Sequence, residues 1–263
     1  MKLFYFFSDR FKTFKILNTF LYIKWIFRVF VLTKNPILIL NNYIKKKSIS
    51  EIRLRSGHIL YCSDHPHDII TFFVIFIKKD YGNIKKNSVI VDIGANIGFF
   101  SIYALINGAK KVYCYEPNSQ AFKILKKNII QNSLSNKIFA FQKAITSNNG
   151  KFISIPLNSS PYNQVTKNLI KKNFKYEKVS TTSLNNQILI NNIKNIDLLK
   201  IDCEGAEYNI FPSLTKKTIK IIKEIRMEVH GKINPLIKSL NHNPFKVILR
   251  GYSNIWLVRD DVQ

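Results

Sequence analysis

A short apolar run, Val89-Ile90-Val91, leads directly into the turn Asp92-Ile93-Gly94-Ala95-Asn96-Ile97-Gly98. That turn opens onto Phe99 to Asn107, apolar at helical spacing and stopped by Gly108. Strand, glycine-bearing turn and helix in immediate succession bring backbone close to a ligand at the carboxyl edge of a parallel sheet. Gly94 and Gly98 permit positive φ, or a close approach that a side chain would block. Asn96 tolerates the left-handed region. A second strand, Lys111 to Tyr115, runs into Glu116, eighteen positions beyond Gly98. An acid at that strand end can accept hydrogen bonds from ribose hydroxyls.

The spacing also discriminates between nucleotide ligands. Dinucleotide sites use Gly-x-Gly-x-x-Gly, so that a helix N-terminus holds the pyrophosphate. This turn lacks that pattern and opens with Asp92, which would repel a pyrophosphate. An acid belongs beside a cationic ligand carrying an amino group, such as the methionine portion of S-adenosylmethionine. The expected cofactor contacts are therefore Asp92, Gly94, Ala95, Asn96, Gly98 and Glu116.

The rest of the chain alternates strand and helix. Ile52 to Arg55 and Ile59 to Tyr61 read as a hairpin, Asp68 to Lys79 as a helix ending near Tyr81-Gly82, and Ser119 to Gln131 as another helix. Ile138 to Ile145 and Ile196 to Ile201 read as the third and fourth parallel strands. A helix from about Gly205 to Leu214 follows, then a fifth strand within Ile219 to Val229. Phe245 to Val258 reads as a terminal hairpin at the sheet edge, and Lys151 to Asn195 as an excursion from the rhythm. The pattern predicts an α/β fold, a mostly parallel sheet with helices on both faces. Residues 1–50 are expected to form a helical extension and 51–263 the main domain.

Three blocks, Val89 to Ser101, Tyr115-Glu116-Pro117-Asn118 and Leu199-Lys200-Ile201-Asp202-Cys203-Glu204-Gly205-Ala206-Glu207, together resemble the FkbM methyltransferases, over about Ile52 to Val258. The resemblance implies a class I methyltransferase (Rossmann-like) fold and O-methylation of a hydroxyl, often on a sugar or glycan. It adds Pro117 and Asn118 to the cofactor set, and fold analogy places the adenine near Lys143-Ala144-Ile145. Members usually carry Leu-Asp-Asp in the excursion, where this chain has Leu184-Asn185-Asn186.

An alcohol nucleophile must lose a proton to a nearby base with a suitable pKa. Asp202, ending the fourth strand, is the first choice. His230, ending the fifth, has the better unperturbed pKa. Glu204 is expected at a helix start, where the dipole lowers its basicity and makes it a cap or orienting group. By strand alternation Lys200 and Asp202 share a face, as do Glu224, Arg226, Glu228 and His230. That stripe either leads to the reacting edge or is a salt-bridge ladder. Asp202, Glu204 and Glu228 also have the chemistry to hold a divalent cation. His65-Pro66-His67 reads as surface, and Cys203 as core.

Lys and Arg total 41 against 16 Asp and Glu, a formal +25 among 263 residues. Such a field suits nucleic acid, an anionic membrane or an anionic substrate, although the lysines are spread along the chain. The nucleic-acid reading gains from Asn158-Ser159-Ser160-Pro161-Tyr162, a partial match to the Asn-Pro-Pro-Tyr turn of N-methyltransferases that act on a flipped base. Ser160 in place of proline counts against it. Cys62, Cys114 and Cys203 have no paired spacing, as expected of a reduced cytoplasmic protein. From Leu3 to Leu40 the chain is apolar and aromatic, but Lys24 and Arg28 interrupt Ile16 to Leu32. Each central cation costs roughly 2.5–3.5 kcal/mol in a membrane span. A basic aromatic helix lying on a membrane or packing on a partner, or a helical cap buried on its own domain, is expected instead. The acceptor is expected to be a small molecule or glycan, read by Lys151–Asn195, the N-terminal helices and His230–Pro244.

Overall fold

The computed structural model describes residues 15–157, 175–232, 234, 236, 244–249 and 254–259. Seven strands form the main sheet: β3 (Val89–Ile93), β4 (Lys111–Tyr115), β5 (Ile138–Phe141), β9 (Leu198–Ile201), β10 (Glu224–Glu228), β11 (Phe245–Leu249) and β12 (Asn254–Arg259). Their spatial order is β11-β12-β10-β9-β3-β4-β5. The five strands from β10 to β5 are parallel, and β12 and β11 add an antiparallel hairpin at the edge. The chain moves outward from β3 to β5, then returns to the other side of β3 at β9. The switch point where such sheets bind ligands thus lies between β3 and β9.

Alternation along the strands feeds two apolar layers. Ile90 faces the layer containing Phe99, Ile102 and Leu125, whereas Val91 faces Leu199, Ile225 and Met227. Helix α4 (Phe99–Ile106) begins at Gly98, and α5 (Ser119–Gln131) is capped by Asn118, whose side chain accepts from the Ala121 amide. On α5, fully buried Asn128 bonds the Tyr61 amide and carbonyl and the Ile97 carbonyl. It thereby ties hairpin strand β2 (Ile59–Tyr61), partner of β1 (Glu51–Arg53), to the glycine-bearing turn.

Several segments differ from the sequence expectation. The helix expected to Lys79 is α-helical over His67–Phe72 (α3) and π-helical over Phe73–Lys78. The third strand breaks at Gln142-Lys143: β5 stays in the main sheet, and β6 (Ala144–Ile145) joins a separate small sheet. In that sheet β8 (Tyr176–Thr182) lies between β6 and β7 (Phe152–Pro156). The excursion is therefore a built element, followed by α6 (Leu184–Ile190). The helix expected from Gly205 shortens to α7 (Glu207–Ile210) and one 3-10 turn, Phe211–Ser213, with Pro212 in the second position.

Two helices precede this body: α1 (Lys15–Leu32) and α2 (Pro36–Lys45). Val29 and Ile39 are fully buried in the same apolar layer as Ile90. Tyr43 stacks on Phe73 at 4.3 Å, and the Arg28 guanidinium donates to the Phe76 carbonyl at 2.9 Å. Among the described residues, no helix is long and apolar enough to cross a membrane.

Candidate active site

The turn after β3 is pinned to the neighbouring strand ends. The Gly94 and Ala95 amides donate to the Tyr115 carbonyl at 3.0 and 3.1 Å. Gly94 has φ 76°, and a Cβ there would overlap the Asp202 carbonyl oxygen. The ends of β3 and β9 approach this closely because residue 94 is glycine. Asn96 adopts φ 49°, in the left-handed region.

Glu116 borders this turn. Its Oε2 accepts from the Asn96 amide at 2.7 Å and its Oε1 from the Asn118 amide at 2.8 Å. Burial pushes the carboxyl up to about 7, despite those two stabilising hydrogen bonds. A carboxylate has about four lone-pair sites, so capacity for two further donors remains. Gly94, Ala95, Asn96, Glu116, Pro117, Asn118 and Ala144 line a cavity of about 750 Å³ that also reaches Lys200, Asp202, Glu204, Glu228 and His230. The two groups of residues marked in the sequence thus share one space, within the usual range for ligand sites.

Asp92 is not among the residues that line the cavity. Its side chain is fully buried; Oδ2 accepts from Ser101 Oγ at 2.7 Å, and Oδ1 lies 3.2 Å from Lys200 Nζ. Lys200 also donates to the Gly94 carbonyl at 2.8 Å and stands 3.5 Å from Asp202 Oδ2. Burial opposes the ammonium charge, but Asp92 and Asp202 outweigh it and hold the pKa above the ordinary lysine range. Asp92 is thus paired from behind the turn by Lys200 and Ser101. Gly98 likewise serves packing: at φ 89°, a Cβ there would meet Leu125.

Beyond Lys200 the polar groups converge. Asp202 Oδ2 accepts from the buried Tyr81 hydroxyl at 2.8 Å. Burial and the Asp202 charge keep that phenol neutral, a hydrogen-bond donor. His230 Nε2 lies 3.5 Å from Glu204 and 3.9 Å from Asp202, and Nδ1 lies 2.9 Å from Glu207 Oε1. Burial works against a charged ring, but the bond to Glu207 and the carboxylates of Glu204 and Asp202 prevail, raising its pKa to about 9. Ligand atoms of Asp202, Glu228 and His230 lie within 4.8 Å of one another, a spacing that a cation could bridge. A protonated imidazole has no free lone pair, so His230 could join such a site only as the neutral ring.

Burial, with Asp202 close by, raises Glu228 to about 7. Glu204 reaches about 7 chiefly by burial, the reverse of the lowering expected from a helix dipole. The cause is local: Glu204 sits at φ 52° in a turn, and α7 begins only at Glu207. Glu207 holds the Cys203 amide instead. Burial pushes the Cys203 thiol well above its usual range, leaving no thiolate nucleophile.

The stripe on β10 divides in two. Arg226 pairs with Glu224 at 2.7 Å and donates to the Tyr81 and Asn83 carbonyls, a structural clamp. Glu228 and His230 belong to the cavity. Sequence reasoning gave no role to Tyr81, which lies far from any recognisable motif, or to Glu207, the last residue of the third block, and read His67 as surface although it lines the cavity. Asn185, in the position of a family acid, instead holds Ser213, Thr215 and Thr218. Residues 158–162 lie outside the described residues.

A family model for the methyltransferase FkbM domain matches residues 92–245. Methyltransferase sdnD of Sordaria araneosa is 23% identical over 241 residues, spanning 79% of this chain and 88% of the relative. Among solved structures, methyltransferase FkbM from Methylobacillus flagellatus KT aligns with TM-score 0.47 and 11% identity, over 84% of this chain and 58% of that one. M. capricolum TrmK, solved with S-adenosyl-homocysteine, aligns with TM-score 0.40 and 18% identity, over 69% of this chain and 65% of that one. Each of these two alignments spans less than two thirds of the solved chain.

Proposed function

The chain belongs to the FkbM methyltransferase family, and from that premise we propose that it uses S-adenosylmethionine to methylate a hydroxyl oxygen of a sugar, a glycan or a related small metabolite. One observation carries the acceptor class. Asp202, Glu204 and Glu228 converge with His230 in the same cavity as Glu116. Carboxylates accept hydrogen bonds from a neutral polyhydroxyl compound and repel a phosphate backbone.

The residues present suit the cofactor. Glu116 is a buried carboxylate with lone pairs to spare, flanked by the Gly94–Asn96 turn on one side and Pro117, Asn118 and Ala144 on the other. It would hold the ribose hydroxyls, and Ala144 would border the base. The cofactor supplies a sulfonium-bound methyl group, and the side chains position the acceptor and take up its proton. We assign that proton to Glu228. It lines the cavity, and a pKa of about 7 matches a base working near neutrality. Asp202, held by Tyr81 and Lys200, orients the acceptor and raises the proton affinity of Glu228. His230, held protonated by the surrounding acids, contributes charge in this scheme and leaves the proton to Glu228.

The formal +25 favours a second reading, methylation of nucleic acid. Incubating the protein with methyl-tritiated S-adenosylmethionine and a fractionated cell extract separates the two. Label in carbohydrate or small-metabolite fractions is expected. Label confined to RNA or DNA would establish the second reading in its place.

A further inference from the structure

Helix α1 has two faces of different character. One packs on the body of the protein: Val29 is fully buried, Arg28 reaches the Phe76 carbonyl, and Trp25 lies beneath Lys78. The other presents Phe20, Ile23, Phe27, Phe30 and Val31 to solvent, with Phe20 68% and Phe27 66% exposed. On α2, Ile37 and Ile44 are 74% and 75% exposed. Apolar surface on this scale marks an interaction site.

The charges around it indicate the occupant. Residues 15–50 contain seven basic side chains and no acid. Arg28 is turned inward, whereas Lys24, Lys34, Lys45 and Lys47 are exposed. A second copy of the chain, meeting this face with its own, would oppose lysines to lysines. Anionic headgroups above an apolar layer complement both features. With Lys24 in the exposed row, spanning is disfavoured and lying in the interface is not, because a lysine stem can carry its ammonium up to the headgroups.

We propose that α1 and α2 form a docking face for an anionic lipid bilayer. The exposed phenylalanines and isoleucines enter the acyl boundary, and the lysines engage the headgroups. The helix beneath, His67–Lys78, contacts Tyr43 through Phe73 and lines the cavity with Ile70, Thr71 and Val74. Docking would therefore hold one wall of the cavity close to the membrane.

The full chain should co-sediment with vesicles of phosphatidylcholine containing one-third phosphatidylglycerol, release at high salt, and bind pure phosphatidylcholine weakly. Two double variants, Phe20→Ser with Phe27→Ser and Lys45→Glu with Lys47→Glu, should each lower vesicle affinity by about tenfold or more. Both should keep the wild-type circular dichroism and affinity for S-adenosylmethionine, so a failure here leaves the catalytic reading untouched. Equal binding to neutral and anionic vesicles, or no binding, would overturn the proposal. So would a dimer in light scattering that the Phe20/Phe27 variant dissociates.

Discussion

Nδ1 of His230 lies 2.9 Å from Oε1 of Glu207, a side chain fully shielded from solvent. The buried acid fixes the ring and, with Glu204 and Asp202, keeps it cationic up to about pH 9. In the proposed reaction the base is then one of the acids, and the pH profile tests this. The dependence of kcat/KM on pH should rise as Glu228 ionises near 7 and fall as His230 loses its proton near 9. The acids interact, so the lower limb belongs to the cluster and not to one residue. His230→Asn should remove the upper limb. A wild-type profile with no fall above about 9 would sink the assignment.

Glu228→Gln removes the proposed proton acceptor and keeps the shape. Turnover should drop by about 10²–10⁴-fold, while calorimetric affinity for S-adenosylmethionine stays near wild type. Full turnover in a folded Glu228→Gln protein would move the base to Asp202 or Glu204.

Glu116→Gln should have the complementary effect on the cofactor. A hydrogen bond to a charged group contributes about 1.5–3 kcal/mol, so affinity for S-adenosylmethionine should fall roughly 10–150-fold. Circular dichroism must accompany the titration, because Glu116 also holds the Asn96 and Asn118 amides. Unchanged affinity would mean that the cofactor binds elsewhere.

Stability should fall as pH rises in the ligand-free protein. Glu116, Glu204 and Glu228 titrate near 7 when folded and at 4.5 in the reference state. Their folded pKa values are raised, so the contribution is full below 4.5 and lost as pH climbs through 7. His230, raised from 6.5 to about 9, loses its contribution on approaching 9. His67, lowered from 6.5, acts in the opposite sense but is one group against four. Urea unfolding at about pH 5 and pH 9 should show the greater stability at the lower value.

Asn128→Ala tests the join between hairpin and turn. It strands the Tyr61 amide and two carbonyls in the interior, and each unsatisfied buried group costs about 1–3 kcal/mol. A thermal midpoint several degrees lower is expected, with the cofactor turn loosened through Ile97.

Much of this was legible in the sequence, for physical reasons. β3, β4 and α5 lie where apolar periodicity put them, because buried parallel strands and amphipathic helices impose periods that sequence must follow. Gly94 and Glu116 stood out because a tight turn and a strand-end acid need those residue types. The pairing of Asp92 was hidden because its partner, Lys200, is 108 positions away, and strand register decides which charges meet. Tyr81 carried no local signal, and Glu207, although inside the third block, gave no sign of its partner: both matter only once the ends of β9 and β10 are in place. The small sheet of β6, β7 and β8 was hidden because β8 pairs with strands 20 residues or more before it, a relation that no local period records.

In the proposed reaction the acceptor atom is oxygen. Isolating the labelled product from methyl-¹³C S-adenosylmethionine and locating the new methyl by NMR tests it directly. A methyl carbon bonded to a hydroxyl oxygen of a sugar or related metabolite is the expected result. A methyl on a nucleobase nitrogen would contradict it.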